Sequence, residues 1–152
     1  EASCATWLVR GGGPFVVANG WGSSAETGTG QGKVRGDNAT RSASVARLGG
    51  AGLLVLFSDI DGLYDADPRT HPGARLIHQV EAITPELRAM AGGAGTWRGT
   101  GGMATKLNAA QLCLEAGVDM VIANGARMEA LYDIVEGKNV GTRFSARRGA
   151  LQ

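Results

Sequence analysis

Residues Leu53 to Asp59 read LLVLFSD, and this heptapeptide sets the fold class. Leu53, Leu54, Val55, Leu56 and Phe57 form an unbroken apolar run that cannot alternate between a wet and a dry face. It predicts a strand covered on both faces, as inner strands of parallel sheets are. The run stops at Ser58 and Asp59 and turns at Asp61 and Gly62. In open α/β sheets ligands collect beyond the carboxyl ends of strands, so a site belongs here.

Reading outward, Asp37 or Asn38 can cap a helix reaching Leu48, with Ala39, Ala43, Val45, Ala46 and Leu48 as its apolar face and Gly49-Gly50 as its stop. Upstream, Asn19 to Gly36 is rich in Gly, Ser and Thr. It is longer than the loops compact domains usually carry, and either a functional or a disordered segment fits it. Cys4 to Arg10 reads as the end of a helix stopped by Gly11 to Gly13, followed by a short buried strand from Phe15 to Ala18. Downstream, the loop DADPRTHPG leads to a short strand near Arg75 to Val80, then to a helix from Thr84 to Met90 with Thr84 as cap and Pro85 in its first turn. The glycine-rich AGGAGTWRGTGGM precedes a strong helix with Met103, Leu107, Ala110 and Leu114 at helical spacing, ended by Gly117. Val118 to Ala123 reads as a second buried strand, Glu129 to Val135 as a helix and Gly141 to Ser145 as a last strand. This alternation predicts a three-layer αβα sandwich with a mainly parallel sheet.

Composition narrows the function classes. The chain has 152 residues and a net charge of +1, with 19% charged residues. It carries no electrostatic footprint of a nucleic-acid or acidic-membrane binder, and its apolar runs are too short to span a bilayer. Small solutes are the expected partners and the cytoplasm the expected compartment, where Cys4 and Cys113 would stay free thiols. Glycine is in excess, 25 residues in all, against a usual share of about 7%.

That excess concentrates around the one cluster with chemical meaning. Gly99, Thr100, Gly101, Gly102 and Met103 lead into a helix that carries Lys106 near its start. Glycines let backbone N–H groups approach an anion, the helix N-terminus adds partial positive charge, and an ammonium completes a phosphate cradle. Thr105 before the lysine separates it from the Walker A pattern. On spacing alone, a glycine-rich connector with an exposed lysine accounts for the segment as well. Asp59 reads either as a nucleotide-side or magnesium-side carboxylate or as a turn cap. Asp61, Asp65 and Asp67 lack a regular ligand pattern and read as solvated turn residues, so no metal site is assigned to protein ligands. His71 and His78 read as surface residues, and Trp97 as a loop residue covering an apolar edge or stacking on a base.

Three segments taken together, SDIDGLYDADPR (58–69), GTGGMATKLNAA (99–110) and VEGKNVGTRFSA (135–146), resemble the glutamate 5-kinases of the amino-acid kinase family in order and spacing. The resemblance runs from about Gly36 to Ala146 and extends weakly through LVRGGGPFVVANG. It implies an incomplete amino-acid kinase fold and ATP-dependent phosphorylation of the γ-carboxylate of L-glutamate, the first step of proline synthesis, with Mg²⁺ bridging the phosphates. It assigns Ser58 and Asp59 to the nucleotide. Thr100, Gly101, Gly102, Met103, Ala104, Thr105 and Lys106 match the ATP loop, Lys106 and Asp59 carry the catalytic roles, and Asn38 contacts the substrate. It divides the chain into a remnant of the amino-acid-substrate region (1–35), a nucleotide-binding subdomain (36–147) and a tail (148–152). It also implies that the family's N-terminal strand and glycine-rich lysine loop are missing here. One side of the parallel sheet would then be left unpaired, an aggregation liability unless another copy covers it, so a homo-oligomer is expected.

Departures accompany the match. ANGW (18–21) stands where the family has an NEND-type glutamate-binding segment, extra residues fall in the loop Gly22 to Val34, and Ala39 replaces an acidic residue of the family's active site. A nucleotide-binding module without transfer activity, and a kinase of the same fold with another small acceptor, are the alternatives these departures raise.

Overall fold

The molecule, a computed structural model, is described at residues 6–10, 13–15, 38–58, 60–68, 70–92, 102–127 and 129–146. The anticipated two-sided strand is β3, Leu53–Ser58, and all six of its residues are buried. Successive side chains of a strand face opposite ways. Leu54 and Leu56 accordingly enter one core, while Leu53, Val55 and Phe57 enter a second. Burial of each such side chain contributes about 1.5–3 kcal/mol.

Two helices dominate the first core, α1 (Asn38–Leu48) and α3 (Gly102–Glu115). The faces they bring to it are small: Ala39, Ala43 and Ala46 from α1, Ala109, Ala110 and Cys113 from α3, with Met103 and Leu107 filling the space over Leu56 and Ile122. Leu48, expected on the apolar face, is 86% exposed, because it ends the helix just before Gly50 turns the chain at φ +63°. The inward stripe of α3 runs through Cys113, and Leu114 is only partly buried against it. A third helix, α2 (Pro85–Gly92), adds Leu87 to this core. Its start is capped as the sequence predicts, with Leu87 N–H donating to Thr84 Oγ1 at 3.2 Å. The second core is closed from the other side by α4, Ala130–Val135, through Ile134. The three-layer arrangement therefore holds.

The sheet itself departs from expectation. Its order is β2-β1-β3-β5-β6-β4, with β1 at Thr6–Arg10, β2 at Gly13–Phe15, β4 at Gln79–Val80, β5 at Asp119–Asn124 and β6 at Thr142–Phe144. β3 pairs β5 in parallel and β4 pairs β6 in parallel, but β1–β2, β1–β3 and β5–β6 are antiparallel. The sheet is mixed rather than mainly parallel. Connection length explains the return after β5. A helix must span a strand's length to carry the chain back to the starting edge. α3, with 14 residues, covers about 21 Å, enough for a six-residue strand of about 20 Å. α4, with six, covers only about 9 Å, so β6 sets out from the edge where β5 ended.

The N-terminal reading also needs correction. Thr6 to Arg10 is a strand, not a helix, with Thr6 paired to Leu56 and Val9 to Leu53. Arg10 pairs with Gly13, and a glycine pair in the sequence after an apolar run is also a hairpin signal, one that the helix-stop reading overrode. The second strand starts at Gly13, two residues earlier than expected; Val16 to Ala18 lie outside the described residues. β1 pairs β3 on the side away from β5. Among the described residues the outermost strands, β2 and β4, have three and two residues, short edges that offer little to pair with.

Candidate functional site

The parallel pair β3 and β5 ends level, with Ser58 opposite Asn124. Gly125 N–H donates to the Ser58 carbonyl at 2.8 Å, so the two exits are joined at the backbone. α3 runs back along β5 into the turn Ala116 to Val118. Since helix and strand have nearly equal lengths, Gly102 at the start of α3 comes level with Asn124 and Ser58. α1 enters β3 through an equally short turn, Ala51 N–H donating to Ala46 C=O at 2.9 Å, so Asn38 opens α1 at the same rim. Ala39, Leu63 and Met103 share one core cluster beneath it. Two helix N-termini thus converge on the carboxyl edge of two parallel strands, a setting that favours an anion.

Above this floor lies a polar network. Asp61 accepts two hydrogen bonds, from Asn124 Nδ2 to Oδ1 at 3.0 Å and from the Tyr64 hydroxyl to Oδ2 at 2.9 Å. Asn124 Oδ1 accepts the Ala126 N–H at 2.9 Å, which fixes which way the amide points. Burial, the hydrogen bond to Asp61 and the Asp61 charge all raise the Tyr64 phenol above its ordinary pKa. The phenol therefore remains a donor at neutral pH.

Beneath the network sits Thr142, fully buried. Its hydroxyl accepts from Leu63 N–H at 2.8 Å and donates to Ile77 C=O at 2.6 Å, while Ile77 N–H donates to Leu63 C=O at 2.8 Å. The hydroxyl takes the place of one rung of a strand pair, and locks the loop after β3 to the start of β6. Close approach is why glycines flank it. A Cβ on Gly62 would lie 2.5 Å from Thr142 Oγ1, and one on Gly141, at φ +64°, would run into the Ile122 carbonyl.

The residues expected at the site distribute as follows. Ser58 is buried at the end of β3. Gly102 opens α3, and Lys106 stands one turn further on, half-buried and on the same helix side as Gly102. Thr105 is half-buried and Ala104 exposed. Met103 is 8% exposed in the core, so its side chain does not face a ligand and only its backbone can. Asp59, Thr100, Gly101 and Trp97 lie outside the described residues, as do Cys4, the loop Asn19 to Gly36 and the side chain of Asn38. Ala39 is 9% exposed within the helix core, which leaves no carboxylate at that position. His71 and His78 are exposed.

Asp61 is exposed, as a solvated turn residue is, and Asp65 closes its own loop by accepting Arg75 N–H at 2.7 Å. The bond from Asn124 to Asp61 across the sheet exits is what the sequence did not show. The only signal available was that both strand ends carry polar side chains. Among the described residues no three His, Cys, Asp or Glu side chains converge as a metal site requires. The rim brings together the start of α3 and the exits of β3 and β5, and amides at a helix start favour an anion. A groove of about 270 Å³ lined by Ser44, Arg47, Leu48 and Leu112 lies elsewhere, at the end of α1 away from this rim.

No helix among the described residues is long and apolar enough to cross a membrane. The chain is 50% identical over 114 residues to glutamate 5-kinase of Clostridium perfringens, covering 75% of this chain and 42% of that protein. It is 57% identical over 111 residues to glutamate 5-kinase of Clostridium tetani, covering 73% and 42%. For glutamate 5-kinase of Deinococcus radiodurans the figures are 56% over 111 residues, 73% and 31%. The chain thus spans about two-fifths or less of the length of these relatives. Among solved structures, uridylate kinase from Archaeoglobus fulgidus superposes with a TM-score of 0.54 at 22% identity, over 70% of this chain and 46% of that one. Carbamate kinase from Giardia lamblia bound to AMP-PNP gives 0.54 at 20% identity, over 72% and 35%. These two likenesses establish the shared fold. The amino acid kinase family model matches residues 3–124, and this chain belongs to that family.

Proposed function

We propose that this chain is the nucleotide-holding part of a cytoplasmic enzyme that phosphorylates L-glutamate in proline biosynthesis. In the reaction a γ-carboxylate oxygen of glutamate bonds to the γ-phosphorus of Mg-ATP, the bond from that phosphorus to the β-phosphate bridging oxygen breaks, and ADP leaves with L-glutamyl 5-phosphate as product. The observation that carries this reading is the start of α3, where Gly102 to Lys106 reach the rim formed by Ser58 and Asn124. There, amides and an ammonium neutralise phosphate charge, which is most of what phosphoryl transfer asks of a protein. On this reading Thr100 to Lys106 hold the phosphates with Lys106 facing the transferred group, Ser58 and Asp59 contact the nucleotide, and Asn38 contacts glutamate. Residues 36–147 then form the nucleotide subdomain, 1–35 belong to the acceptor region, and 148–152 are a tail. Mg²⁺ would be held chiefly by the nucleotide's own phosphates, and the working assembly is taken as a homo-oligomer.

The test is glutamate-dependent ADP release from Mg-ATP, with hydroxylamine trapping the acyl phosphate as the hydroxamate. ADP without hydroxamate would refute the acceptor. One observation favours a second reading, a module that binds ATP or ADP without transfer: the buried Ala39 puts a methyl group where the family's pattern has a carboxylate. Under that reading calorimetry detects Mg-ATP binding while neither product forms.

A further inference from the structure

We propose that Asp61 is a positioning residue for the nucleotide site, its carboxylate clamping the exit loop of β3 onto the exit turn of β5. This rests on the reading above, which places a nucleotide at that rim. The geometry is a chain of directed bonds. Ala126 N–H fixes Asn124 Oδ1 at 2.9 Å, Asn124 Nδ2 then points at Asp61 Oδ1 at 3.0 Å, and Tyr64 supplies its hydroxyl to Asp61 Oδ2 at 2.9 Å. Asp61 and Asn124 are 63 positions apart in sequence, yet this contact and the Gly125–Ser58 backbone bond join the exits of the two parallel strands. Both carboxylate oxygens are engaged by neutral donors, and the charge on the acceptor strengthens each bond.

Placement separates this network from the machinery of folding. Asp61 is exposed, and the loop it holds is already anchored from below by Thr142 to Leu63. Exposed polar contacts contribute little to global stability. What Asp61 adds is a fixed spacing between the segment following Ser58 and the turn following Asn124, where open sheets of this class receive ligands. A nucleotide that contacts both exits binds at full strength only when they are held at that spacing.

The experiment is calorimetric titration of the chain with Mg-ATP for wild type, Asp61→Ala, Asp61→Asn and Lys106→Ala, with thermal unfolding of each. Expected is a loss of about tenfold in affinity for Asp61→Ala at an unfolding midpoint within about 2 °C of wild type. Asp61→Asn, able to keep both contacts through its amide, should recover most of the affinity. The Tyr64 phenol, followed by ultraviolet difference titration, should ionise at lower pH in Asp61→Ala. Asp61→Ala binding within twofold of wild type, while Lys106→Ala binds weakly, would overturn the role of Asp61 and leave the nucleotide reading standing. Equal loss in Asp61→Asn and Asp61→Ala would overturn it too, since charge rather than position would then matter. Wild type without measurable binding would sink the nucleotide reading, and this inference with it.

Discussion

Thr142→Val is the sharpest probe of how the rim is built. Valine has the shape of threonine without its hydroxyl, so packing is preserved while the bridge between Leu63 and Ile77 is removed. Thr142 is fully buried and Leu63 is 2% exposed, so water cannot replace the hydroxyl at the freed Leu63 amide. An amide or carbonyl left unpaired in such a place costs about 1–3 kcal/mol; with two groups affected, about 3 kcal/mol is expected overall. For a chain of this size that lowers the unfolding midpoint by about 6–12 °C. Thr142→Ser provides the control, because it keeps both hydrogen bonds and loses one methyl group, about 1 kcal/mol. Differential scanning calorimetry on the three proteins reads the difference directly. Should valine and serine unfold at the same temperature, or valine at the higher one, the hydroxyl is not the link between the loop after β3 and the start of β6.

Other outcomes follow from the same description. Leu107→Ala, at 1% exposure between α3 and β3, should lose about 2–5 kcal/mol in denaturant unfolding, and less than 1 kcal/mol would mean the site collapses around the cavity. Burial pushes the Cys113 thiol up to about 12, so mass spectrometry after iodoacetamide at pH 8 should find Cys113 unmodified in the folded chain and modified in urea. The unfolded thiol ionises first as pH rises, so the unfolded state there binds fewer protons. The Cys113 contribution is therefore intact below pH about 9 and declines toward 12, and Cys113→Ala should flatten that decline in pH-dependent unfolding. Lys106→Ala should weaken Mg-ATP binding by about tenfold or more, the worth of one charged hydrogen bond at about 1.5–3 kcal/mol; unchanged binding would remove Lys106 from the site.

Where local chemistry and tertiary packing agreed, the sequence was readable. Leu53 to Phe57 has one use in a globular domain, Thr84-Pro85 is a cap followed by a first-turn proline, and Met103 to Ala110 has a helical period, and each forms the expected element. What was not readable depended on partners far along the chain. Thr6 to Arg10 becomes a strand because β3 offers it an edge, and the glycines that follow it fit a helix stop as well as a hairpin. The short helix α4 was legible to within one residue, but that β6 runs antiparallel to β5 depends on their pairing, which apolar spacing does not show. At the site, Ser58 and Lys106 were marked by motif, whereas Asp61 acquires meaning only through Asn124, and Thr142 only through Leu63 and Ile77.

The order β2-β1-β3-β5-β6-β4 also bears on how the chain reaches its native state. Leu53 must find Asp119 and Gln79 must find Arg143, whereas β1 and β2 pair close in sequence. Long-range pairing of this kind slows folding, because loop-closure entropy must be spent before the contacts form. On the ribosome the apolar stretch 53–57 emerges well before its partner 119–124, and that face of the strand waits until about sixty further residues have been made. Chaperone demand and the yield of recombinant protein should accordingly be governed by that interval.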